Sequence, residues 1–299
     1  MLQHHYPEMH FFLQYLQFEK KYSQHTLLAY EKDLEQFTAY IISQYEAPLL
    51  QDIKAPYVRS WLAHLKSDKT LTNKSVNRKI STLKSFFKYL MKNGIVQQTP
   101  MTVIISPKIN RRLPMFVEEK DIQTYFKEAQ FSDDHKGRTE ELVLRMLYET
   151  GMRLSELIHL KKSSIDVAYQ SLRLLGKGNK ERLVPVSQTL LSRIKKYIDE
   201  KPIAQADVDA VFTTEKGKLY TPKTIYNSVK KHLSLATSIE KKSPHILRHT
   251  FATHLMNHGA ELNAVKELLG HSSLAATQVY THLTIEKLKE VHKMAHPKA

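Results

Sequence analysis

The stretch from Ser243 to Tyr280 sets basic and phenolic side chains among apolar ones at helical spacing. Ser243 and Pro244 predict a helix start, because serine caps helices and proline suits the first helical position. The helix ends near Gly259, whose backbone readily adopts positive φ. One broad arc of this helix is apolar and contains Leu247, Phe251, Ala252, Leu255 and Met256. Arg248 falls inside that arc, so it needs an anion or a cleft, because burying an unpaired charge costs several kcal/mol.

Three further side chains of this stretch can reach the same place. His245 lies one turn before the arginine, near a helix N-terminus, where anions are favoured. A second helix over about residues 262–269 ends at Gly270, and His271 follows directly. In one continuous helix Tyr280 would lie on the opposite face from His271. The break at Gly270 removes this problem, because it allows Tyr280 to sit on a new helix that approaches His271.

Length and charge narrow the class of protein. At 299 residues the chain is long enough for two domains, and its net charge of +15 favours a polyanionic partner. Nucleic acid is the first candidate and an anionic membrane surface the second. The absence of cysteine excludes disulfides, thiol nucleophiles and thiolate zinc sites, and fits a reducing compartment. No apolar run reaches the length that crosses a bilayer and no signal pattern opens the chain, so we expect a cytoplasmic protein without a membrane partner.

The N-terminal part, residues 1–95, reads as four amphipathic helices, the last over residues 73–90. The non-apolar positions of this fourth helix include Arg78, Lys79 and Lys84, which we predict to contact DNA phosphates. An ordinary solvated helix face is the alternative. Prolines then interrupt residues 96–115, which read as a basic interdomain linker whose Lys108 is a further candidate DNA contact.

The second domain, residues 116–299, reads as α+β. Helical segments surround two alternating strands, Ser171–Leu175 and Arg182–Val186, that form a hairpin with Lys177 near its tip. A third short strand is predicted at Val211–Thr214. Upstream, Gly151 ends a helix, and Arg153 stands where the next helix begins.

Six residues are candidates for one active site: Arg153, Lys177, His245, Arg248, His271 and Tyr280. Each alone is typical of a surface or a core, but together they suit transfer of a phosphoryl group of DNA or RNA. Two arginines can clamp the non-bridging oxygens of a phosphodiester, and a tyrosine can attack phosphorus to form a covalent intermediate. A phenol with a pKa of about 10 needs cations and an imidazole to lose its proton. A lysine at a hairpin tip can protonate the leaving oxygen, and no metal is required.

Two other interpretations remain open from the residues alone. His245 and His249 have the i, i+4 spacing of helical zinc ligands, but the glutamate of the usual zinc motif is missing. The helices on either side of Gly259 also resemble a helix-turn-helix, which would make the chain a DNA-binding protein without enzymatic activity.

The motifs resemble those of the tyrosine recombinases, the phage integrase family. The resemblance rests on Thr150–Leu157, Lys177 in a hairpin, His245 to Arg248, Leu268–His271 and Tyr280–His282. It extends over nearly the whole chain and is strongest to the Xer branch of site-specific recombinases. One departure is Thr99-Pro100, where that branch usually has Asn-Pro.

This resemblance implies a mainly α fold with a small β-sheet, in which a four-helix SAM-like core-binding domain precedes an α+β catalytic domain, the two clamping a DNA half-site. Tyr280 would form a 3′-phosphotyrosine, while Arg153, Arg248 and His271 stabilise the phosphorane. His245 would accept the phenolic proton and Lys177 would protonate the leaving oxygen.

The resemblance also implies partners. No cofactor is expected. Four protomers, either identical or shared with a paralogous recombinase, would exchange strands between two double-stranded DNA sites through a Holliday junction. The tail after Tyr280 would dock on the neighbouring protomer. The implied role is resolution of chromosome dimers at cell division with a septal FtsK-type DNA translocase, and integration of a mobile element is the alternative.

Overall fold

A computed structural model describes residues 5–67, 71–109, 115–176, 181–201, 209–270 and 291–297. The chain divides into two compact units, Met1–Arg112 and Leu113–Ala299. The expected fold class, mainly α with a small sheet, is confirmed by the elements below. Among the described residues, no helix is both long enough and apolar enough to cross a membrane.

The first unit is a helical domain around an aromatic core. Its helices are α1 (Glu8–Gln14), which continues into a π-helical turn at Tyr15–Glu19, α2 (Gln24–Tyr45), α3 (Ala55–Ser67) and α4 (Asn73–Lys92). The side chains of Ser23 and Thr72 cap α2 and α4 by accepting hydrogen bonds from backbone N–H groups in the first turn. The largest fully buried side chains of the core are Phe12, Phe37, Trp61, Phe86 and Phe87.

The beginning of the predicted linker packs on this first unit. Val96, Met101 and Ile104 are buried in its core. The amides of Asn77 and Asn73 on α4 donate hydrogen bonds to the carbonyls of Pro107 and Lys108, both at 2.9 Å. Residues 96–108 are therefore fixed along α4 by apolar burial and by side-chain hydrogen bonds.

The second unit surrounds a small antiparallel sheet with helices. Its helices are α5 (Glu119–Glu128), α6 (His135–Thr150), α7 (Leu154–Ile158), α8 (Gln188–Asp199), α9 (Pro222–Ala236), α10 (Pro244–Asn257) and α11 (Leu262–Leu269). The strands are β1 (Ile165–Asp166), β2 (Ser171–Leu175) and β3 (Glu181–Pro185), in the order β1-β2-β3. Leu172 and Val184 face each other across β2 and β3, and both are buried in the core of this unit.

Two local predictions differ from the structure. The predicted strand at Val211–Thr214 is not a regular strand, because the backbone bends at Val211 and Phe212 and only isolated bridges form, Lys161 with Ala210 and Thr213 with Leu219. Ser243 occupies the N-cap position of α10 with an extended backbone, but its side chain makes no capping hydrogen bond. The start of α10 therefore rests on Pro244 and on packing.

Candidate active site

Arg248 is buried within the second unit, as its place in the apolar arc of α10 predicts. Only 7% of the residue is exposed. Its Nη1 donates to the Gly151 carbonyl at 2.6 Å and its Nη2 to the Leu269 carbonyl at 2.5 Å. The guanidinium thus joins the end of α6 to the end of α11. These two carbonyls are neutral, so the positive charge itself is not cancelled by them.

Gly151 makes this approach possible. Its φ is +59°, in the left-handed region that ends α6, and a Cβ there would come within 2.4 Å of the Phe251 ring and 3.0 Å of Leu269. A side chain at this position would separate α6 from α10 and α11. Glycine is therefore required both for the turn and for the close packing that brings the carbonyl to Arg248.

Arg153 stands at the N-cap of α7, directly after this turn. Its side chain is 32% exposed, and its Nη1 donates to Glu156 Oε1 at 2.9 Å. Its Nη2 donates to the Gly270 carbonyl at 2.9 Å, and its backbone N–H donates to Glu156 Oε2 at 2.7 Å. Unlike Arg248, this arginine keeps about a third of its side chain exposed to solvent.

Arg153, Arg182, Arg248 and Glu156 lie close together, and we call them the arginine cluster. Glu156 is the only anion of these four residues, and Arg182 of β3 is its principal partner. Arg182 binds it in a bidentate pair, Nη1 to Oε1 at 2.7 Å and Nη2 to Oε2 at 2.8 Å. Burial acts to raise the pKa of Glu156, but the hydrogen bonds and charges of Arg182 and then Arg153 outweigh it and leave the pKa below its usual value. Glu156 is therefore ionised at neutral pH.

Two guanidinium groups, those of Arg153 and Arg182, bind the one carboxylate of Glu156, and the charge of Arg248 lies close enough to interact with all three, so the arginine cluster carries surplus positive charge. Burial, and then repulsion from Arg153 and Arg182, lowers the pKa of Arg248 to about 10. Arg248 consequently stays protonated at neutral pH, although its surroundings disfavour its charge. An anion that enters beside Arg153 and Arg248 would relieve this repulsion, which is the electrostatic requirement for a phosphate site.

Sequence reasoning missed Arg182 and gave Glu156 no role. The signal for Arg182 is the period of two in the strand, which places it on the same face as the buried Val184. An arginine on an inward face needs a partner by the same argument that singled out Arg248. Glu156 lies three residues after the Arg153 N-cap, where glutamate reaches back to the N-cap N–H.

Of the four remaining predicted catalytic residues, the structure describes only His245. His245 is exposed in the first turn of α10, one turn before Arg248. Lys177, His271 and Tyr280 lie outside the described residues. Gly270, with φ +63°, ends α11 immediately before His271, as the sequence predicts. The structure therefore brings Arg153 and Arg248 together at the end of α11, with His245 on the same helix as Arg248.

The histidines of α10 do not form a metal site within the described part of the chain. No three His, Asp or Glu side chains there are arranged to hold a metal ion. His249 is exposed, whereas His254 is buried, with its Nε2 at 2.9 Å from the Val117 carbonyl and its Nδ1 at 3.1 Å from the Tyr148 hydroxyl.

In the first unit, α4 presents a basic face. The exposed charged residues of this helix, all of them basic, are Lys74, Arg78, Lys84, Lys88 and Lys92. Arg78 keeps 45% of its side chain exposed, while its Nη1 donates to Asp33 Oδ2 at 2.5 Å and to the Ala29 carbonyl at 3.1 Å. Lys108 is also exposed. We refer to the exposed residues of α4 with Lys108 as the basic face.

Lys79 does not belong to the basic face, which corrects its predicted contact with DNA. Its ammonium is buried, with 5% of the side chain exposed, and donates to Asp33 Oδ1 at 2.9 Å and to Gln36. The reason is helical geometry, because Lys79 is rotated by about 100° from Arg78 toward the buried side of α4. Its charge neutralises Asp33 inside the domain.

The two units match two family models. Residues 115–287 match the phage integrase family, and residues 10–94 match the phage integrase N-terminal SAM-like domain. The chain belongs to the phage integrase family. The resemblance to tyrosine recombinases is thereby confirmed, as is the predicted pairing of a SAM-like domain with an integrase domain. The alternative of a DNA-binding protein without enzymatic activity is wrong, because the chain belongs to a family of recombinases.

Curated relatives agree with this assignment over nearly the whole chain. Tyrosine recombinase XerC of Staphylococcus saprophyticus is 37% identical over 96% of this chain and 96% of that protein. Tyrosine recombinase XerC of Chlorobaculum parvum is 33% identical over 96% of this chain and 94% of that protein.

Solved structures share the fold. The XerH site-specific recombinase in a post-cleavage complex with palindromic difH substrate matches with a TM-score of 0.70 and 23% identity, over 90% of this chain and 79% of that one. The Tn1549 transposon integrase in complex with transposon right end DNA matches with a TM-score of 0.68 and 18% identity, over 96% and 98%.

Residues 291–297, in the predicted docking tail, pack against the second unit of their own chain. Ala295 is buried among Phe251, Leu255 and the apolar side chains of α11. His292 Nε2 lies 3.0 Å from the Glu149 carbonyl, and the His292 and His296 rings stack with centroids 5.0 Å apart. Burial lowers the pKa of both histidines, and that of His296 also falls because His292 lies beside it.

We expect this packing to weaken at acidic pH. A histidine whose pKa is lowered in the packed state is more protonated in the released state, so packing is strongest above the unperturbed pKa of about 6.5 and is lost as pH falls below it. With two such histidines, opening of residues 291–297 should rise by up to about 30-fold between pH 6.5 and 5.5, about 5-fold for each histidine. Hydrogen exchange of this segment, corrected for intrinsic rates, measures it. A His292→Phe/His296→Phe variant should lack the pH dependence; equal protection of the wild type at both pH values contradicts the expectation.

Proposed function

We propose that this recombinase cuts and rejoins double-stranded DNA at a specific site, with Tyr280 as nucleophile and Arg153 and Arg248 as the phosphate-binding pair. The observation that carries the proposal is the convergence of both guanidinium groups at the end of α11, one residue before His271. Their charges are only partly balanced by Glu156. The XerC relatives, at 33–37% identity, support the same assignment.

The proposed cleavage step conserves the phosphodiester bond energy. The Tyr280 oxygen attacks phosphorus, His245 accepts the phenolic proton, and a 3′-phosphotyrosine forms. The bond from phosphorus to the 5′ oxygen breaks, and Lys177 gives that oxygen its proton. Arg153 and Arg248 bind the non-bridging oxygens, where negative charge grows in the transition state. Attack by a 5′ hydroxyl of another strand reverses these steps and rejoins the DNA, so neither an energy source nor a cofactor is needed.

The basic face of α4 is proposed to run along the DNA backbone. Lys84 and Lys88 are exposed, and the hydrogen bonds of Arg78 to Asp33 and Ala29 hold one more guanidinium at the same surface. Lysines that neutralise phosphates release counterions, so affinity falls steeply as salt increases.

We expect Lys84→Gln/Lys88→Gln to bind DNA more weakly and with a smaller salt dependence. Loss of two phosphate contacts should reduce the slope of log K against log salt concentration by about two. Fluorescence anisotropy across a salt series measures the slope. Lys127→Gln/Lys195→Gln, on exposed positions of α5 and α8, is the charge-matched control and should keep the wild-type slope. An unchanged slope in the α4 variant would remove the basic face from the DNA interface.

The proposed assembly and role rest on the resemblance of the chain to the Xer branch of the family, with which the name of the XerC relatives agrees. Four protomers, identical or shared with a paralogous recombinase, would act on two DNA sites through a Holliday junction in the cytoplasm. In that assembly the tail after Tyr280 would exchange the packing of residues 291–297 on their own unit for docking on the neighbouring protomer. The role is resolution of chromosome dimers at cell division, with a septal FtsK-type DNA translocase as regulator.

A covalent-complex assay tests the proposed chemistry. The binding site is first selected with the Tyr280→Phe chain from sheared DNA of its own genome, and the selected duplex is then nicked beside the cleavage position so that cleavage cannot reverse. The wild-type chain should form an SDS-resistant protein–DNA complex, and EDTA should not reduce it. Loss of the complex in EDTA with recovery on adding zinc would favour metal catalysis, and no complex under either condition would overturn the proposal.

A further inference from the structure

The carbonyl oxygens from Lys266 to Gly270, at the end of α11, all accept hydrogen bonds, and arginines donate to the last three of them. A helix leaves its last four carbonyls without partners inside the helix. Here the Gly270 N–H bonds the carbonyls of Lys266 and Glu267. The next two carbonyls accept from arginine side chains, Leu268 from Arg182 Nε at 2.9 Å and Leu269 from Arg248 Nη2 at 2.5 Å.

Arg153 completes the set by donating to the Gly270 carbonyl at 2.9 Å. Three successive carbonyls are thus bound by three arginines that come from α7, β3 and α10. The negative end of the helix dipole favours this arrangement. Two of these arginines are the proposed phosphate-binding pair, and the third, Arg182, has no part in the proposed chemistry.

Arg182 differs from Arg153 and Arg248 in that all three nitrogens of its guanidinium donate hydrogen bonds within the protein. Its side chain is 10% exposed, and its Nε, Nη1 and Nη2 all donate to protein acceptors: the Leu268 carbonyl and both oxygens of Glu156. A guanidinium with three nitrogens engaged in this way is suited to holding other groups in place. Glu156 in turn accepts from both the Nη1 and the backbone N–H of Arg153.

Gly270 fits against the same side chain. A Cβ on Gly270 would come within 2.9 Å of Arg182 Cδ and 3.1 Å of its Nη1. The end of α11 therefore packs on Arg182 through a position that has no side chain, and the contact is fixed by shape as well as by hydrogen bonds. Arg182 therefore contacts Glu156, which binds Arg153, and the Leu268 carbonyl, which is next to the carbonyl bound by Arg248. It also packs against Gly270, the residue before His271.

We propose that Arg182 is a positioning residue for strand cleavage, which fixes Glu156 and the end of α11 so that Arg153 and Arg248 meet the phosphate in a set geometry. The inference rests on the proposed function, since it assigns those two arginines to the phosphate. Lysine cannot replace Arg182 in this role, because one ammonium cannot donate along the three directions of the guanidinium.

Arg182→Gln and Arg182→Lys test the inference in the full-length chain on the selected, nicked duplex. We expect the single-turnover rate of SDS-resistant complex formation to fall about 10- to 100-fold in both, by analogy with the loss found when a side chain that orients a metal ligand is removed. DNA affinity should change less than about threefold, because Arg182 does not contact the phosphate in this scheme. Arg173→Gln is the matched control: it removes an exposed arginine from β2 of the same sheet and should leave the rate unchanged.

A double-mutant cycle separates positioning from general loss of stability. In an Arg153→Lys background, Arg182→Gln should slow cleavage at least about threefold less than it does in the wild type, because the two residues act through Glu156. Independent effects would multiply. All rates are compared well below the lowest melting temperature, measured by circular dichroism.

Two results would overturn the inference alone: wild-type rates in both Arg182 variants, or a fully multiplicative effect in the cycle while the wild type forms its complex normally. Absence of the complex in the wild type itself would instead overturn the proposed function.

Discussion

Replacing Tyr280 with phenylalanine is expected to abolish the SDS-resistant protein–DNA complex while leaving DNA binding within about twofold of wild type. Phenylalanine keeps the ring, so packing is disturbed little, but it lacks the oxygen that would attack phosphorus. The effect on cleavage should be complete, because the covalent intermediate has no other way to form. Tyr169→Phe is the matched control, since this tyrosine is 60% exposed in the same unit and should retain wild-type cleavage.

The measurement is denaturing gel electrophoresis on the selected, nicked duplex, with affinity determined in parallel by fluorescence anisotropy. Residual covalent complex in the Tyr280→Phe chain would show that another residue is the nucleophile. A loss of binding together with cleavage would instead assign Tyr280 a role in holding DNA. The two readouts therefore separate the chemistry from recognition.

The helices could be predicted well from the sequence because their signals are local. The helix over residues 262–269 has the bounds predicted for it, since Gly270 marks its end. The strand β1 is only two residues long, Ile165–Asp166, and has no periodicity to detect. Its existence depends on pairing with β2, which is a tertiary contact.

The site could be predicted only in part, and the limit is again tertiary contact. Arg248 could be recognised as a site residue because a charge on the apolar face of a helix is costly to bury unless it has a partner. The sequence contains no information on which acceptors resolve that conflict, and they prove to be the carbonyls of Gly151 and Leu269. The wrong prediction for Lys79 could have been avoided from the sequence. The helical position of Lys79 on α4 directs it toward the core, but the prediction grouped it with the other basic residues of the helix without regard to their faces.

Arg248→Ala should lower the cleavage rate about 1,000-fold, the loss typical when one preorganised donor to a developing oxyanion is removed. Arg248→Lys should recover no more than about tenfold of this, since it restores the charge but not two parallel N–H donors. Because burial and the neighbouring arginines lower the pKa of Arg248 only to about 10, the wild-type residue stays charged through pH 8. Protonation of Arg248 should therefore not limit cleavage between pH 7 and 8.

The control for Arg248 is Arg193→Ala, which removes an arginine that is 44% exposed and paired with Glu141, away from the cluster. It should retain wild-type cleavage and affinity. The Arg248 variants should keep DNA affinity within about tenfold, because most binding free energy comes from the many phosphate contacts along the duplex. A proportional loss of affinity and rate would place Arg248 in ground-state binding, whereas wild-type cleavage by Arg248→Ala would exclude it from the phosphate site. The surplus positive charge around Glu156 would then require another anion as its partner.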